Sequence, residues 1–229
     1  MISVVIPTLN AQDFLAATLT ALVPAAVDGL VREVIIVDGG STDRTLAIAD
    51  QAGADVLQCE AGRGQQLVAG ARRARFPWLL FLHADTVLNP EWDREASALM
   101  ERVDSGRLDQ VAAAFRFALD DVGVRPRLLE KLVALRCALL RLPYGDQGLL
   151  ISRRLYTEIG GYSPMPLMED VDLVHRIGRR RMVLLGTRAV TSARRYRAEG
   201  YLRRSVRNIS CLALHALHVP SRVLARLYG

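Results

Sequence analysis

Short β-branched apolar runs alternate with helically spaced apolar positions through the first half of the chain, the pattern of a parallel sheet built from strand–helix–strand units. Ile2–Pro7 and Glu33–Asp38 are the clearest strands, followed by Ala54–Cys59 and Trp78–His83. Phe14, Leu15, Leu19 and Leu22 recur at helical spacing, with Asn10 placed to cap that helix and Asp13 in its first turn. Ser41 or Thr42 begins a second helix with Asp43 near its positive end, and a third runs from about Gln65 to Arg75. Asn89-Pro90 reads as a cap and first turn of a fourth.

Beyond about residue 108 the pattern loosens, as expected where shorter or antiparallel strands join the sheet. Gln110–Leu119 and Gly148–Ser152 read as extended, and Met182–Val190 as the last strand. Arg125–Leu142 and Glu169–Arg181 read as helices, and Ala198–Leu227 is helical with a break at Pro220. The expectation is an α/β fold with a Rossmann-like mixed sheet, mainly parallel, flanked by helices and ending in a helical C-terminus. One domain is expected over residues 1–229, in three stretches, 1–108, 109–197 and a helical extension 198–229.

Composition narrows the class. An apolar fraction of 51% with 24% charged residues belongs to an ordinary globular protein, without a linker-like stretch. A net charge of +6 implies an anionic partner, which nucleotide phosphates, acidic lipid or nucleic acid would satisfy. Aromatic residues make up only 6% and do not alternate with the basic ones, which argues against nucleic acid. Cys59, Cys137 and Cys211 are odd in number and widely spaced, arguing against a disulfide framework or structural zinc. The chain opens directly on a strand pattern and has no run of about 18 apolar residues. It is expected to be cytoplasmic, with any membrane contact peripheral, at the inner face.

The chemistry concentrates where strands run out. Val37-Asp38-Gly39-Gly40-Ser41-Thr42-Asp43, His83-Ala84-Asp85 and Glu169-Asp170-Val171-Asp172 carry acids at positions that an open α/β sheet can bring to one edge. At the first, backbone N–H groups and a helix start can meet a ligand while Asp38 takes a base or ribose, or the segment is a tight turn with Asp38 and Asp43 as caps. His83 and Asp85 point to one side of an extended chain and suit a divalent ion such as manganese; the plainer reading is a packed strand-end histidine. Glu169 and Asp172 complement a helix dipole, while one of the cluster could act as a general base. Gly62-Arg63-Gly64-Gln65 reads as a basic lead into a helix, suited to a phosphate or a base edge, or as a surface loop. Asp146 and Gln147 stand where an acceptor could reach them, and Arg194 and Arg195 could meet a diphosphate. No Gly-x-Gly-x-x-Gly follows the first strand, which disfavours a nicotinamide or flavin cofactor.

Ser3-Val-Val-Ile-Pro-Thr-Leu-Asn10, Val37-Asp-Gly-Gly-Ser-Thr-Asp43, His83-Ala-Asp85 and Glu169-Asp170, in that order and spacing over residues 1–197, resemble glycosyltransferase family 2 with its GT-A fold. Within it the chain is similar to short bacterial rSAM/selenodomain-associated, or arsenosugar-biosynthesis, transferases, which share the Gly-Arg-Gly, His-Ala-Asp and Ala-Arg-Arg patterns. The resemblance implies an inverting hexosyltransferase using a nucleotide-diphosphate sugar, usually uridine-based, with Mn2+ or Mg2+ and a hydroxyl acceptor it does not identify. It implies that Pro7, Thr8, Asn10, Asp38, Gly40, Arg63, His83, Ala84 and Asp85 surround the donor, that Asp85 binds the metal with His83 beside it, and that Asp170 is the catalytic base. Asp146, Gln147, Glu169, Arg194 and Arg195 fall on the acceptor or diphosphate side, and the resemblance makes residues 1–108 a nucleotide-binding half and 109–197 an acceptor half. Two positions depart from the family pattern: Gly39 follows Asp38 where many relatives carry a second acid, which leaves base preference open, and His83 stands where the metal motif commonly begins with aspartate.

The competing reading is a basic binding module without catalysis, using Arg125–Arg141 and Arg194–Arg207 on a membrane or another anionic ligand. Leu128, Leu132, Leu135, Leu139 and Leu142 form one apolar stripe, and Ile209, Leu212, Leu214 and Leu217 follow Arg203, Arg204 and Arg207 in the last helix. Such stripes more often pack in a core or a homodimer than on a membrane surface.

Overall fold

The computed structural model of the protein describes residues 1–217 and 219–228. In chain order it contains β1 (Ile2–Thr8), α1 (Leu15–Thr20), α2 (Val23–Val27), β2 (Val31–Asp38), α3 (Thr45–Gln51), β3 (Asp55–Gln58), α4 (Arg63–Arg73), β4 (Trp78–Phe81), β5 (Thr86–Leu88) and α5 (Trp92–Asp104). There follow β6 (Ala112–Leu119), α6 (Val124–Leu140), β7 (Leu149–Ser152), α7 (Arg153–Glu158), α8 (Glu169–Ile177), β8 (Met182–Thr191), α9 (Arg194–Glu199), α10 (Tyr201–Ala216) and α11 (Ser221–Tyr228).

The strands form one sheet in the order β3-β2-β1-β4-β7-β6-β8-β5. β1 pairs parallel with β2 and β4, β2 with β3, and β6 with β8. β7 enters antiparallel between β4 and β6, and β5 runs antiparallel to β8. Two reversals across β7 restore the direction, so β6 and β8 end at the same edge as β1, β2 and β4.

Side-chain alternation divides the core in two. Val4 and Ile6 of β1 face a cluster with Leu15, Leu19 and Leu22, Ala49 of α3, and Trp92, Ala96 and Leu99 of α5. Val5 faces the opposite way, into a cluster with Leu67 and Ala71 of α4, Leu155 of α7 and Leu173 and Ile177 of α8. Because both faces are covered, β1 is buried along its whole length and reads as a continuous apolar run.

The helix expected after Asn10 begins at Leu15, and Asn10 does not cap it. Asn10 has φ 51°, and its side-chain oxygen accepts the Thr42 N–H at 2.9 Å, stitching the β1 loop to the β2 loop. The helix expected from Ser41 or Thr42 begins at Thr45, whose N–H donates to Asp43 at 2.9 Å. The expected strand to His83 ends at Phe81, and the expected helix to Arg181 ends at Ile177, where Gly178 takes φ 79° before a 3-10 turn over Arg179–Arg181. The helical C-terminus is broken at Gly200 as well as near Pro220.

Candidate active site

All the acid-bearing segments gather at the edge where β1, β2, β4, β6 and β8 end and β5 and β7 begin. β1 lies between β2 and β4 in the order β3-β2-β1-β4, and a crevice opens at such a reversal of strand order. A cleft of about 590 Å³ lies here, with Pro7, Thr8, Asn10, Arg63, His83, Ala84, Asp85, Asp146, Asp170, Arg194 and Arg195 on its walls.

Asp38 and Gly40 are not on those walls. Asp38 is fully buried and accepts hydrogen bonds from Thr8 Oγ1 at 2.9 Å, Gly40 N at 2.9 Å, Ser41 N at 2.7 Å and Ser41 Oγ at 2.5 Å. Burial acts to raise its pKa, but these donors outweigh it and hold the carboxyl below its usual range. Asp38 therefore orders the loop after β2, its carboxylate turned onto the loop's own donors. Gln66 ties the same strand ends to α4, donating to Thr8 O at 2.8 Å and Val37 O at 2.7 Å.

Arg63 stands in the first turn of α4, not in a flexible loop, because Gly62 supplies the φ of 156° that starts the helix. Its Nε pairs with Glu169, Nη2 lies 3.6 Å from Asp170 Oδ2, and Nη1 lies 3.4 Å from His83 Nε2. Burial pushes the Glu169 carboxyl upward against the pull of Arg63, and its Oε2 is buried with no hydrogen-bond partner among the described residues. Burial works to raise Asp170 too. Arg63, the N–H of Gly145 at 2.8 Å, His83 and the N–H of Val171 at 2.8 Å prevail there and keep Asp170 below the ordinary carboxylate range. His83 is pushed down to about 4 by burial and by Arg63, against the pull of Asp85 and Asp170, so its imidazole is neutral at neutral pH. The neighbouring acid in the motif is structural: Asp172 accepts from Ser163 at 2.8 Å and from Arg176 at 2.6 Å.

Asp85 follows β4 and precedes β5. Its backbone carbonyl accepts the Ser192 N–H at 3.2 Å, while its half-buried carboxylate accepts no hydrogen bond from any described residue. No three His, Cys, Asp or Glu side chains among the described residues could hold a metal ion between them. The donor set therefore suits an ion that brings most of its own ligands, as one on a diphosphate does, with Asp85 as the protein's carboxylate. The ring nitrogen Nε2 of His83 faces Arg63 and Gly145, so His83 is better placed to position Arg63 and Asp170 than to ligate.

On the other wall, burial raises the Asp146 carboxyl to about 6, with Arg136 opposing and Asp170 adding; its Oδ1 is buried and unpartnered among the described residues. Gln147 faces inward, donating to Phe115 O at 2.8 Å and accepting the Tyr144 N–H at 3.3 Å, so it supports the turn behind Asp146. Arg194 and Arg195 are exposed on the cleft rim, Arg194 lying 3.7 Å from Asp13 and over the Phe14 ring at 4.8 Å. Tyr196 lines the cleft within the basic run 194–197, and the sequence reading did not place Tyr144, Ser192, Arg204, Asn208 or Leu212 there, all of which do. The last three come from α10, where only the inward side of the helical pattern would have signalled them.

A mixed, mostly parallel sheet flanked by helices, with acids from separate strand ends converging at a strand-order reversal, defines the GT-A glycosyltransferase fold. Residues 3–178 match the profile of Glycosyl transferase family 2, and the chain belongs to that family. It is 36% identical over 98 residues to glucosyl-3-phosphoglycerate synthase from Mycolicibacterium paratuberculosis, covering 39% of this chain and 29% of that one. It is 35% identical over 101 residues to a PGL/p-HBAD biosynthesis glycosyltransferase from Mycobacterium bovis, covering 38% of this chain and 36% of the relative. The match spans about a third of the length of these curated relatives. Among solved structures it resembles Mycobacterium tuberculosis glucosyl-3-phosphoglycerate synthase in complex with Mn2+, UDP and glucosyl-3-phosphoglycerate, at TM-score 0.55 and 26% identity over 81% of this chain and 70% of that one. The same enzyme with Mg2+ and UDP matches at TM-score 0.55 and 26% identity, over 81% of this chain and 69% of that one.

Proposed function

We propose that the protein is an inverting glycosyltransferase that moves a sugar from a nucleoside-diphosphate donor, a UDP-sugar, to a hydroxyl acceptor. One observation carries this reading: Asp85, whose carboxylate accepts no hydrogen bond from any described residue, and Asp170, held ionised by Arg63, line one cleft with the β1 loop. Pro7, Thr8 and Asn10 border the nucleoside, and Asp38 and Gly40 act behind them by fixing the loop. A manganese or magnesium ion at Asp85, of the kind the relatives hold with UDP, would neutralise charge on the leaving diphosphate.

Asp170 takes the proton of the acceptor hydroxyl as its oxygen bonds to the anomeric carbon. The bond from that carbon to the diphosphate oxygen breaks on the opposite face, which inverts the centre, and the electron pair leaves with the diphosphate. Arg63 holds Asp170 in its ionised form through the approach, and Arg194 and Arg195 add positive charge at the rim. Asp146 and Tyr144 face the acceptor. The likeness to rSAM/selenodomain-associated transferases rests on the Gly62-Arg63-Gly64 and His83-Ala84-Asp85 patterns and makes their acceptors the first to try.

Calorimetric titration with UDP and GDP, with and without manganese, on the native protein and on Asp85→Ala, tests the donor site. Manganese-dependent binding of UDP that disappears in the variant is the expected outcome. Binding of neither nucleotide under any condition would overturn the proposal.

A further inference from the structure

Some of the most exposed apolar side chains sit on two basic helices, where neither the core nor the cleft uses them. On α6, Leu128, Leu132, Leu135 and Leu139 are 56%, 55%, 55% and 59% exposed and fall on one stripe, opposite the buried Pro126 and Cys137. On α10, Leu202, Val206 and Ile209 are 80%, 55% and 65% exposed, while Arg204, Asn208 and Leu212 turn inward to wall the cleft.

The two stripes adjoin. Tyr201 Oη donates to Asp121 Oδ2 at 2.6 Å, which ties the start of α10 to the segment leading into α6, where Val122 and Val124 are exposed. Beneath them, Leu129 and Val133 of α6 pack with Tyr196 and Tyr201 against Phe117 and Leu119. Two exposed apolar stripes on helices packed together in this way mark an interaction site.

Charge selects the occupant. Helix α6 carries Arg125, Arg127, Lys131 and Arg136 against Glu130, and residues 194–217 carry six arginines against Glu199. Some of these are paired, Arg127 with Glu130 and both Arg204 and Arg207 with Glu199, but exposed Arg125, Lys131 and Arg203 make no ion pair with any described residue. A second copy would bring like charges together along the seam, whereas anionic headgroups complement them and let the long basic side chains reach outward past the leucines. No helix among the described residues is long and apolar enough to cross a bilayer, so contact would be at the surface.

We propose that the outer faces of α6 and of the first half of α10 dock the protein on an anionic lipid bilayer, leucines in the headgroup–acyl boundary and Arg125, Lys131 and Arg203 on the headgroups. The test is flotation of the purified protein with phosphatidylcholine vesicles with and without phosphatidylglycerol. Flotation is expected only with phosphatidylglycerol and should fade as salt is raised. Leu132→Glu/Leu135→Glu should weaken it by about 100-fold or more. Arg125→Gln/Lys131→Gln should weaken it by about fivefold per charge removed. Both variants should keep the native melting temperature and manganese-dependent UDP affinity. Equal flotation on both vesicle types, none on either, or an unchanged leucine variant would overturn the proposal. So would a leucine variant that turns a dimer into a monomer in light scattering without any vesicle binding. Loss of UDP binding by the native protein would sink the transferase reading while leaving the flotation result intact.

Discussion

Gly145 donates its N–H to Asp170 at 2.8 Å, and a methyl group added there would stand 2.8 Å from His83 Nε2 and 3.0 Å from Asp170 Oδ2. Gly145→Ala should therefore displace the base, with a turnover loss larger than its stability cost of about 1–3 kcal/mol; parallel melting and rate measurements would show the split. Asp170→Asn keeps the shape and removes the proton acceptor, so turnover should fall about 10²- to 10⁴-fold while UDP affinity in calorimetry stays level. Since Asp170 is held below the carboxylate range, it stays ionised through mildly acid pH. An inflection in kcat/KM near pH 6 is therefore expected from Asp146, raised to about 6, with activity lost on the acid side; the inflection should be absent from the pH profile of Asp146→Asn. At this scale the residues marked Asp85, Arg63 and Asp146 as polar groups beside strand or helix ends, whereas Asp170 was singled out from its acidic neighbours by the family resemblance alone. The sequence could not show that Asp38 is fully occupied by its own loop, since donors three residues away look the same whether they bond inward or leave the acid free.

Among the elements, β1, β2 and β4 were legible because each holds a run of apolar residues, Val4–Ile6, Val34–Val37 and Trp78–Phe81, in a sheet covered on both faces. The three-residue β5 and the short α2 and α7 were not, since so few residues carry no period. Helix starts were read too early at Asn10 and Ser41 because both side chains bond across loops, Ser41 Oγ accepting the Asn10 N–H at 2.8 Å. A pairing equally hidden in sequence joins β1, β2 and the end of α4. Buried Glu33 accepts from Ser3 at 2.6 Å and from Arg75 Nε at 2.6 Å and N at 3.0 Å. Burial opposes ionisation, yet these donors hold Glu33 below its usual pKa, so its stabilisation is full above the unfolded value and lost as pH falls through the folded one. Glu33→Gln should cost about 1–3 kcal/mol near neutrality, a gap that denaturant titrations should see narrow in acid.

Across the whole molecule, one sheet carries the acid-bearing segments to a common edge, an arrangement that strand order accounts for. The α/β class followed from alternating periods, whereas the antiparallel insertion of β7 did not, because three apolar residues and a serine, all buried, read alike in either direction. Of the apolar stripe read from sequence as core or dimer packing ahead of membrane contact, Leu142 lies past the end of α6 and packs against the core, whereas Leu128, Leu132, Leu135 and Leu139 face outward. Gly64 holds the two halves together. A β-carbon there would meet Met165 N and Ser163 O at 2.7 Å each, so the helix bearing Arg63 and the segment leading to Asp170 touch backbone to backbone. That contact works as a fixed gauge. With no side chain between the two backbones, the spacing of α4 from the segment before α8 cannot be retuned by substitution there, and any widening of the cleft must come from the strand-end loops on the far wall.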